Sequence, residues 1–421
     1  MQRKLNKTPM VASPPTSLSR TARQVIILLR KHGQLSRSQL AKAVGVTRAA
    51  MAQTINMLLD QNIVQIYAVN KHAQGGRPAE SFELTGNGFV TVGIYINTRI
   101  QLVITNSIHN VLSERQIANS FSDVEENDSR PIEELIEQID ALHKTKQINT
   151  DIQGIGICVV GCVSSDGRTS NPNMMASEQQ ASTLRDRLTR AFGCPVRFVN
   201  NVQAPLLTER WGAQDIPNDP SLLYVDEHLG FALYVCGQLV RGPVNANLWL
   251  GRFQIDQHGA IWKGHTPGQL AASASLASIT DQMAGFVFGT RPHITPSQMD
   301  QKIQHAFMQY EQNNIQVVHL FHRAFDHLGI ALRNLTILFS PQLIILDGWT
   351  PAILKQGVIR IQEILDQTEF DAASEVLAPR VRAASLGQFQ HAIGASIDIT
   401  DKVLVTTKEI EIPHTQAQSP V

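Results

Sequence analysis

The sequence predicts a mixed α/β fold built from a small helical head and a larger two-lobed body. Three observations lead there. Residues 1–90 hold 12 Lys or Arg against 3 Asp or Glu, while the remaining 331 hold 24 against 33, so a chain of zero net charge is divided into a basic head and an acidic body. Between Ser36 and Leu59, apolar residues recur at helical spacing on two stretches parted by a glycine. From Phe89 onward, short β-rich runs alternate with helical stretches, and the theme occurs twice.

Residues 1–17, rich in Pro and Ser, predict a mobile tail. Leu18 to His32 predicts the first helix, with Ala22, Val25, Ile26 and Leu29 on one face. Ser36 and Gln39 have capping-box spacing, so each side chain satisfies an amide that the start of a helix leaves unpaired. Leu40, Ala43 and Val44 supply that helix with an apolar face, Gly45 ends it, and Thr47 caps a second helix carrying Met51, Ile55, Leu58 and Leu59. A short helix, a tight turn and a longer helix form the arrangement of a DNA reader. The N-terminal residues of the second helix would face base edges in the major groove, with Thr47, Arg48 and Gln53 forward and Ala52 and Asn56 behind them.

Ile63–Val69 and Ala79–Leu84 read as strands around a turn-rich, basic stretch from Asn70 to Pro78. That hairpin is a wing, and Gly75-Gly76-Arg77-Pro78 lets an arginine approach a narrow minor groove. The candidate DNA contacts are Ser36, Thr47, Arg48, Gln53, Asn56, Lys71 and Arg77, within a winged helix-turn-helix domain over residues 18–84. Three small helices and a hairpin can also simply pack a domain. The basic surplus of nine in residues 1–90 favours a binder of phosphate backbone, and the acidic body discourages unspecific wrapping by nucleic acid.

Thr85–Gly88 marks the boundary with a body over residues 89–404. Strands are predicted at Val90–Ile96, Ile100–Asn106, Val111–Ile117, Ile155–Val160 and Val196–Asn200, with a helix from Arg130–Pro131 and others between and after. The second half repeats the pattern with Leu222–Asp226, Phe231–Cys236, a long helix near Ile315–Phe339, Leu343–Asp347 and Val381–Ser385. Two lobes with a cleft between them follow, and residues 405–421 read as a flexible tail. Cys158, Cys162, Cys194 and Cys236 show no CxxC spacing and read as buried thiols of a reducing compartment. The sequence contains no signal-peptide core and no run approaching the roughly 20 apolar residues of a membrane span, which places the protein in the cytoplasm without membrane insertion.

Six segments together resemble the ROK family, and within it the repressor branch that includes the N-acetylglucosamine, Mlc and xylose repressors. They are GGRPAESFEL at 75–84, GIGICVVGCVSSDG at 154–167, VNNVQAPLLTERWG at 199–212, LGFALYVCGQLVRG at 229–242, LGIALRNLTILFSPQLIILDG at 328–348 and SLGQFQHAIGAS at 385–396. The resemblance implies a winged helix-turn-helix joined to an actin-like, sugar-kinase-like body of two ribonuclease-H-like lobes. It also implies repression of carbohydrate uptake or metabolism genes through a double-stranded DNA operator, as a homodimer or tetramer.

The kinase chemistry of the family does not carry over. An Asp and a Gly-Gly-Thr turn follow the first body strand in family kinases; here the stretch is Ile94-Tyr95-Ile96-Asn97-Thr98-Arg99, with neither the carboxylate that Mg²⁺ prefers nor flexible glycines. The second phosphate loop is Asp226-Glu227-His228, whose acids repel a triphosphate. The family's Asn-Asp is Asn200-Asn201, and Asn201 has no titratable group with which to act as a general base. The zinc ligands of related proteins fall on Arg252, Trp262, Gly264 and Gln269, none of which binds zinc by the usual chemistry; His258, His265, His319 and His322 read as surface or satisfied histidines. No catalytic residue, metal or cofactor is therefore expected. Asn200 and Asn201, with Trp249 as a stacking face and Arg252 as a charged donor, are the effector-binding candidates; the charged donor points to an anionic effector such as a sugar phosphate or sugar acid, with a sugar as the alternative. Capture by a transporter-component protein is an alternative means of control, and an active hexose kinase with a DNA-binding head is an alternative function.

Overall fold

The computed structural model describes residues 19–70, 79–118, 121, 128–145, 148, 150–163, 169–170, 177–213, 216, 221–235, 238–240, 249–260, 262, 266–283, 296–368 and 378–405. The tail at 1–17, all but the first residue of the tail at 405–421, and Lys71, Arg77, Cys236, Gly264 and His265 lie outside these residues.

The head comprises α1 (Arg20–His32), β1 (Leu35–Ser36), α2 (Arg37–Val44), α3 (Arg48–Asp60), β2 (Val64–Asn70) and β3 (Ala79–Leu84). Its helices close over a core of Ala22, Val25, Ile26, Leu29, Leu40, Met51, Ile55 and Leu58, sealed from the wing side by Phe82. Ser36 and Gln39 form the capping box, Gly45 ends α2 in the left-handed region at φ 76°, and the Thr47 hydroxyl caps α3. One expectation is corrected. Ala41 rather than Ala43 is buried on α2, because at about 100° per residue the inward face centres between Leu40 and Ala41, and Ala43 falls well to one side of it. The wing has three strands in the order β1-β3-β2, with Leu35 opposite Phe82. An irregularity between Ile66 and Ala68 leaves Tyr67 more than half exposed.

The first lobe contains β4 (Val90–Ile96), β5 (Arg99–Asn106), β6 (Val111–Ala118), α4 (Arg130–Thr145), β7 (Ile152–Val159), the short pair β8 (Cys162–Val163) and β9 (Thr169–Ser170), α5 (Glu178–Phe192) and β10 (Val196–Asn200). After α6 (Gln203–Gly212), the second lobe contains β11 (Leu222–Val225), β12 (Phe231–Val235), β13 (Gln238–Leu239), a 3-10 turn at Leu250–Arg252, α7 (Leu270–Ala274), α8 (Leu276–Met283), α9 (Pro296–Glu311), α10 (Ile315–Phe339), β14 (Leu343–Leu346), α11 (Pro351–Asp366) and β15 (Arg380–Ala383). The last described element is α12 (Gln390–Val405).

The two sheets share one plan. In each, three antiparallel strands are extended by two parallel ones, giving β6-β5-β4-β7-β10 and β13-β12-β11-β14-β15. Parallel pairing requires crossovers, which α4, α5 and the helices α7–α11 supply. This is the duplicated ribonuclease-H-like arrangement that the resemblance implies.

Between the sheets lie α6 and α12. On α6, Leu206 and Leu207 pack into the core against the second sheet through Leu222 and Tyr224. Ala392 and Ala395 of α12 pack on the first sheet beside Tyr95, Val103 and Cys158. The approach is backbone to backbone. A Cβ on Gly93 would stand 1.8 Å from the Ala392 carbonyl oxygen, one on Gly156 1.9 Å from that of Ala395, and one on Gly394 1.8 Å from that of Ala204. The hydroxyls of Thr91, Thr105, Ser396 and Thr400 bond to one another in the same layer, satisfying groups that burial would otherwise leave unpaired. Every residue of β4 is buried as a result, since both faces of its sheet are covered. Replacing Gly93 with Ala forces α12 off the sheet, and the substitution is predicted to lower stability in denaturant titration by about 2 kcal/mol or more; an unchanged midpoint would contradict this packing.

Candidate DNA interface and interlobe cleft

The turn Gly45–Thr47 brings the start of α3 to the surface of the head. Thr47, Arg48, Gln53 and Asn56 are exposed, and the first turn of α3 has no acidic residue. The positive end of the helix dipole and the Arg48 guanidinium therefore face solvent together, which suits an anionic polymer. Thr47 Oγ1 accepts from the Ala50 amide at 3.2 Å, leaving its own O–H available to a phosphate or base. Ser36 is less available. Its oxygen accepts from the Gln39 amide at 3.3 Å and its hydroxyl donates to Gln39 Oε1 at 2.8 Å. Lys42 on α2 is a further exposed cation, whereas Arg37 pairs with Glu80 at 3.2 Å and covers the Phe82 ring. The basic surplus of the head is thus divided between outward and inward groups, a division that charge counting does not reveal.

Elements of both lobes line the cleft. Tyr95, at the end of β4, stacks on His391 of α12 with ring centroids 4.3 Å apart and planes 12° apart, and its hydroxyl accepts from Asn97 Nδ2 at 2.8 Å. Burial holds the Tyr95 phenol well above its usual pKa, and pushes His391 down to about 4 against the opposing pull of Asp347. Both rings are uncharged near neutral pH. From the second lobe, Asp226 accepts the amides of His228 and Gly230 at 3.0 and 2.8 Å, and Asn201 Nδ2 donates to its other oxygen at 3.0 Å. Asp347 accepts from the Tyr224 hydroxyl and from Gln390 Nε2. Glu227 lies so close to Gly348, itself at φ 91°, that a Cβ there would stand 1.4 Å from its carboxylate.

Three carboxylates and a stacked phenol thus occupy the region where the family resemblance places phosphates and metal. Among the described residues, no three His, Cys, Asp or Glu side chains are grouped as they would be around a metal ion. Trp262, at one former zinc position, donates its indole N–H to Asp281 at 3.1 Å.

Two of the four effector candidates, Asn201 and Trp249, touch the Asp226–Gly230 loop. Asn201 holds Asp226, and Asn200 donates to the Gly161 carbonyl at 2.7 Å while accepting from the Val202 amide at 2.9 Å. Trp249 pairs with Gly230 and donates its indole N–H to the His228 carbonyl at 2.8 Å. One face of its ring lies on Gly251, where a Cβ would approach to 2.5 Å. Arg252 is exposed at the rim, with its guanidinium 6.0 Å from the Trp249 ring centre.

The profile of the ROK family matches residues 91–402, and that of the winged helix-turn-helix DNA-binding family matches residues 18–65. The chain is 23% identical over 355 residues to the xylose repressor of Caldicellulosiruptor bescii, covering 80% of this chain and 85% of that protein. Among solved structures it is similar to a ROK family transcriptional regulator described as a homologue of the E. coli MLC protein, with a TM-score of 0.70 and 19% identity over 91% of this chain and 95% of that one. It is also similar to the ROK hexokinase of Thermus thermophilus, with a TM-score of 0.57 and 21% identity over 74% of this chain and 100% of the enzyme. No helix among the described residues is long and apolar enough to cross a membrane.

The carboxylate cluster has a consequence in solution. Burial pushes Glu227 up to about 7, with Asp226 and Asp347 adding to the effect and His228 opposing it. A folded-state value above the ordinary 4.5 means that the folded protein holds this proton more tightly than the unfolded chain does. The resulting stability is full below about pH 4.5 and lost as pH rises through about 7. Glu227→Gln keeps the neutral form at every pH. Its melting temperature is predicted to match wild type in acid and to exceed it above about pH 7; a gap that fails to widen with pH would refute the assignment.

Proposed function

The chain belongs to the ROK family, and we propose that it is a sequence-specific DNA-binding transcriptional repressor whose body retains the fold of the sugar kinases without their chemistry. The observation that carries this reading is the exposed, acid-free start of α3, with Thr47 and Arg48 foremost, on a head whose profile match is to DNA-binding proteins. Arg48, Gln53, Asn56 and Thr47 are its base and backbone contacts in the major groove, and Lys71 and Arg77 its wing contacts. The name of the xylose repressor supports carbohydrate genes as the targets. Two copies would set two recognition helices about 34 Å, or a multiple of it, apart along a palindromic operator.

The cleft supports the noncatalytic part of the reading. Asn201 stands where the family's general base falls, its amide already committed to Asp226, and Tyr95, where the family's metal-binding carboxylate falls, is stacked on His391. The same geometry narrows the effector. Asp226, Glu227 and Asp347 offer acceptors to a ligand rich in donors, so a neutral sugar fits better than a sugar phosphate or a sugar acid. Asn200, Asn201 and Trp249 form its surroundings, with Arg252 at the entrance.

Genome-wide mapping of bound sites followed by footprinting tests the DNA reading. Wild type should protect discrete sites, and Arg48→Ala should cost about 1–3 kcal/mol of discrimination at one position of each half-site. Protection that survives Arg48→Ala unaltered would sink it. Supplied with hexoses and ATP, the protein should consume no nucleotide above background, and calorimetry should find neutral sugars binding more tightly than their phosphates. Steady turnover would refute the noncatalytic reading, and tighter binding of phosphates would refute the effector class.

A further inference from the structure

Arg30, in the last turn of α1, leaves the head and enters the body. Its guanidinium pairs with Asp401 of α12, donates to the Ser107 carbonyl at 3.5 Å and lies 5.0 Å over the Trp211 ring of α6. The side chain is only 7% exposed. Trp211 is enclosed further by Arg210, 5.0 Å over the ring, and by His109 from the β5–β6 turn at 4.8 Å. Burial, with Arg30 and Arg210 beside it, keeps His109 uncharged.

Both helices that meet Arg30 begin in the cleft. The first residue of α6 follows Asn201 by two positions, and Trp211 is its penultimate residue. Gln390 and His391 open α12 against Asp347 and Tyr95, and Asp401 lies eleven residues on. At 1.5 Å per residue α12 covers about 16 Å between Gln390 and Asp401, and α6 about 12 Å between Gln203 and Trp211. They cannot slide separately. Gly394 seats α12 on the Ala204 carbonyl, and Thr208 Oγ1 donates to the Gln390 carbonyl at 2.6 Å.

We infer that Arg30 is the positioning residue through which the α6–α12 block sets the orientation of the head, and thereby the operator half-site spacing that two copies accept. The inference rests on the proposed reading of the chain as a paired DNA-binding regulator. A rigidly held head fixes the separation of two recognition helices before DNA is met, so the second half-site is bound without further ordering; a loosened head accepts several separations, none of them well. The contact is also built to release. Arg30 Nε, Arg210 Nε, Trp211 Nε1 and both ring nitrogens of His109 are buried with no hydrogen-bond partner among the described residues. Undocking returns these groups to water, which opposes the stabilisation from the ion pair and the stacking and keeps held and released heads close in free energy.

The test uses the full chain and fragments carrying a mapped site, with the two half-sites moved apart or together by single base pairs, and a fragment with one half-site alone. Wild type should prefer one spacing by about tenfold or more. Arg30→Ala, and separately Asp401→Asn, should flatten that preference to within about twofold while leaving single half-site affinity unchanged. Asp401→Asn leaves every residue of the head in place, so its effect cannot come from misfolding of α1. The double variant should be no worse than either single one. Spacing preference retained by both variants, equal binding of wild type at all spacings, or an equal loss on the single half-site would each overturn the inference alone. A wild type that protects no site would overturn the DNA reading and this inference with it.

Discussion

The structure depends on how closely α12 approaches its neighbours. Three glycines, Gly93 and Gly156 on the first sheet and Gly394 on the helix itself, remove the side chains that would hold backbone apart. Dispersion over so short a separation is strong, but it tolerates no added atom, so the helix is held in one register. The shared hydroxyls of Thr91, Thr105, Ser396 and Thr400 fix that register from the polar side. A segment near the end of the chain thereby becomes the base on which the first lobe and α6 are assembled. Through α6, it also supports the second sheet.

That rigidity lets the cleft keep its shape whichever side chains line it. A kinase site requires a base, a metal-binding carboxylate and flexible phosphate loops, each of which depends on one or two side chains. The closure of the lobes around it depends on the α6–α12 block, which none of those side chains builds. Tyr95 and Asn201 can therefore stand at these positions without disturbing the fold, and each is partnered, Tyr95 by His391 and Asn201 by Asp226. The carboxylates of Asp226, Glu227 and Asp347 are gathered without a neutralising metal site among the described residues, which is why Glu227 retains its proton to about 7.

Much of this was legible in the sequence, for identifiable reasons. Strands such as Val90–Ile96 and Val196–Asn200 have the expected bounds because burial on both faces writes an apolar run, and the 25-residue helix Ile315–Phe339 because its buried residues recur at helical spacing. The caps at Ser36 and Thr47 were legible because a capping hydrogen bond joins residues three apart. β1, at two residues, is too short to show alternation. Arg30 was silent for a different reason. A cation in the last turn of α1 is explained by the helix dipole, as Lys31 and His32 beside it are, and its partner Asp401 is 371 residues away. The fit of Trp249 onto Gly251 was equally hidden, since spacing suggests proximity but not which ring face remains open.

The head separates fold from orientation. Its core is made by α1, α2, α3 and the wing, with Phe89 reaching in from just beyond the connecting loop. Apart from Phe89, the residues of that core all come from the head. Arg30 lies on α1, the helix whose residues Val25, Ile26 and Leu29 hold the core together, but its guanidinium reaches Trp211 of the body. The same helix therefore serves two energetically independent purposes. Its inner face determines whether the head folds, and one arginine determines where the folded head points. A regulator needs that independence: a signal that acted through the core would have to unfold the DNA reader to silence it, whereas one that acts through Arg30 only has to turn it.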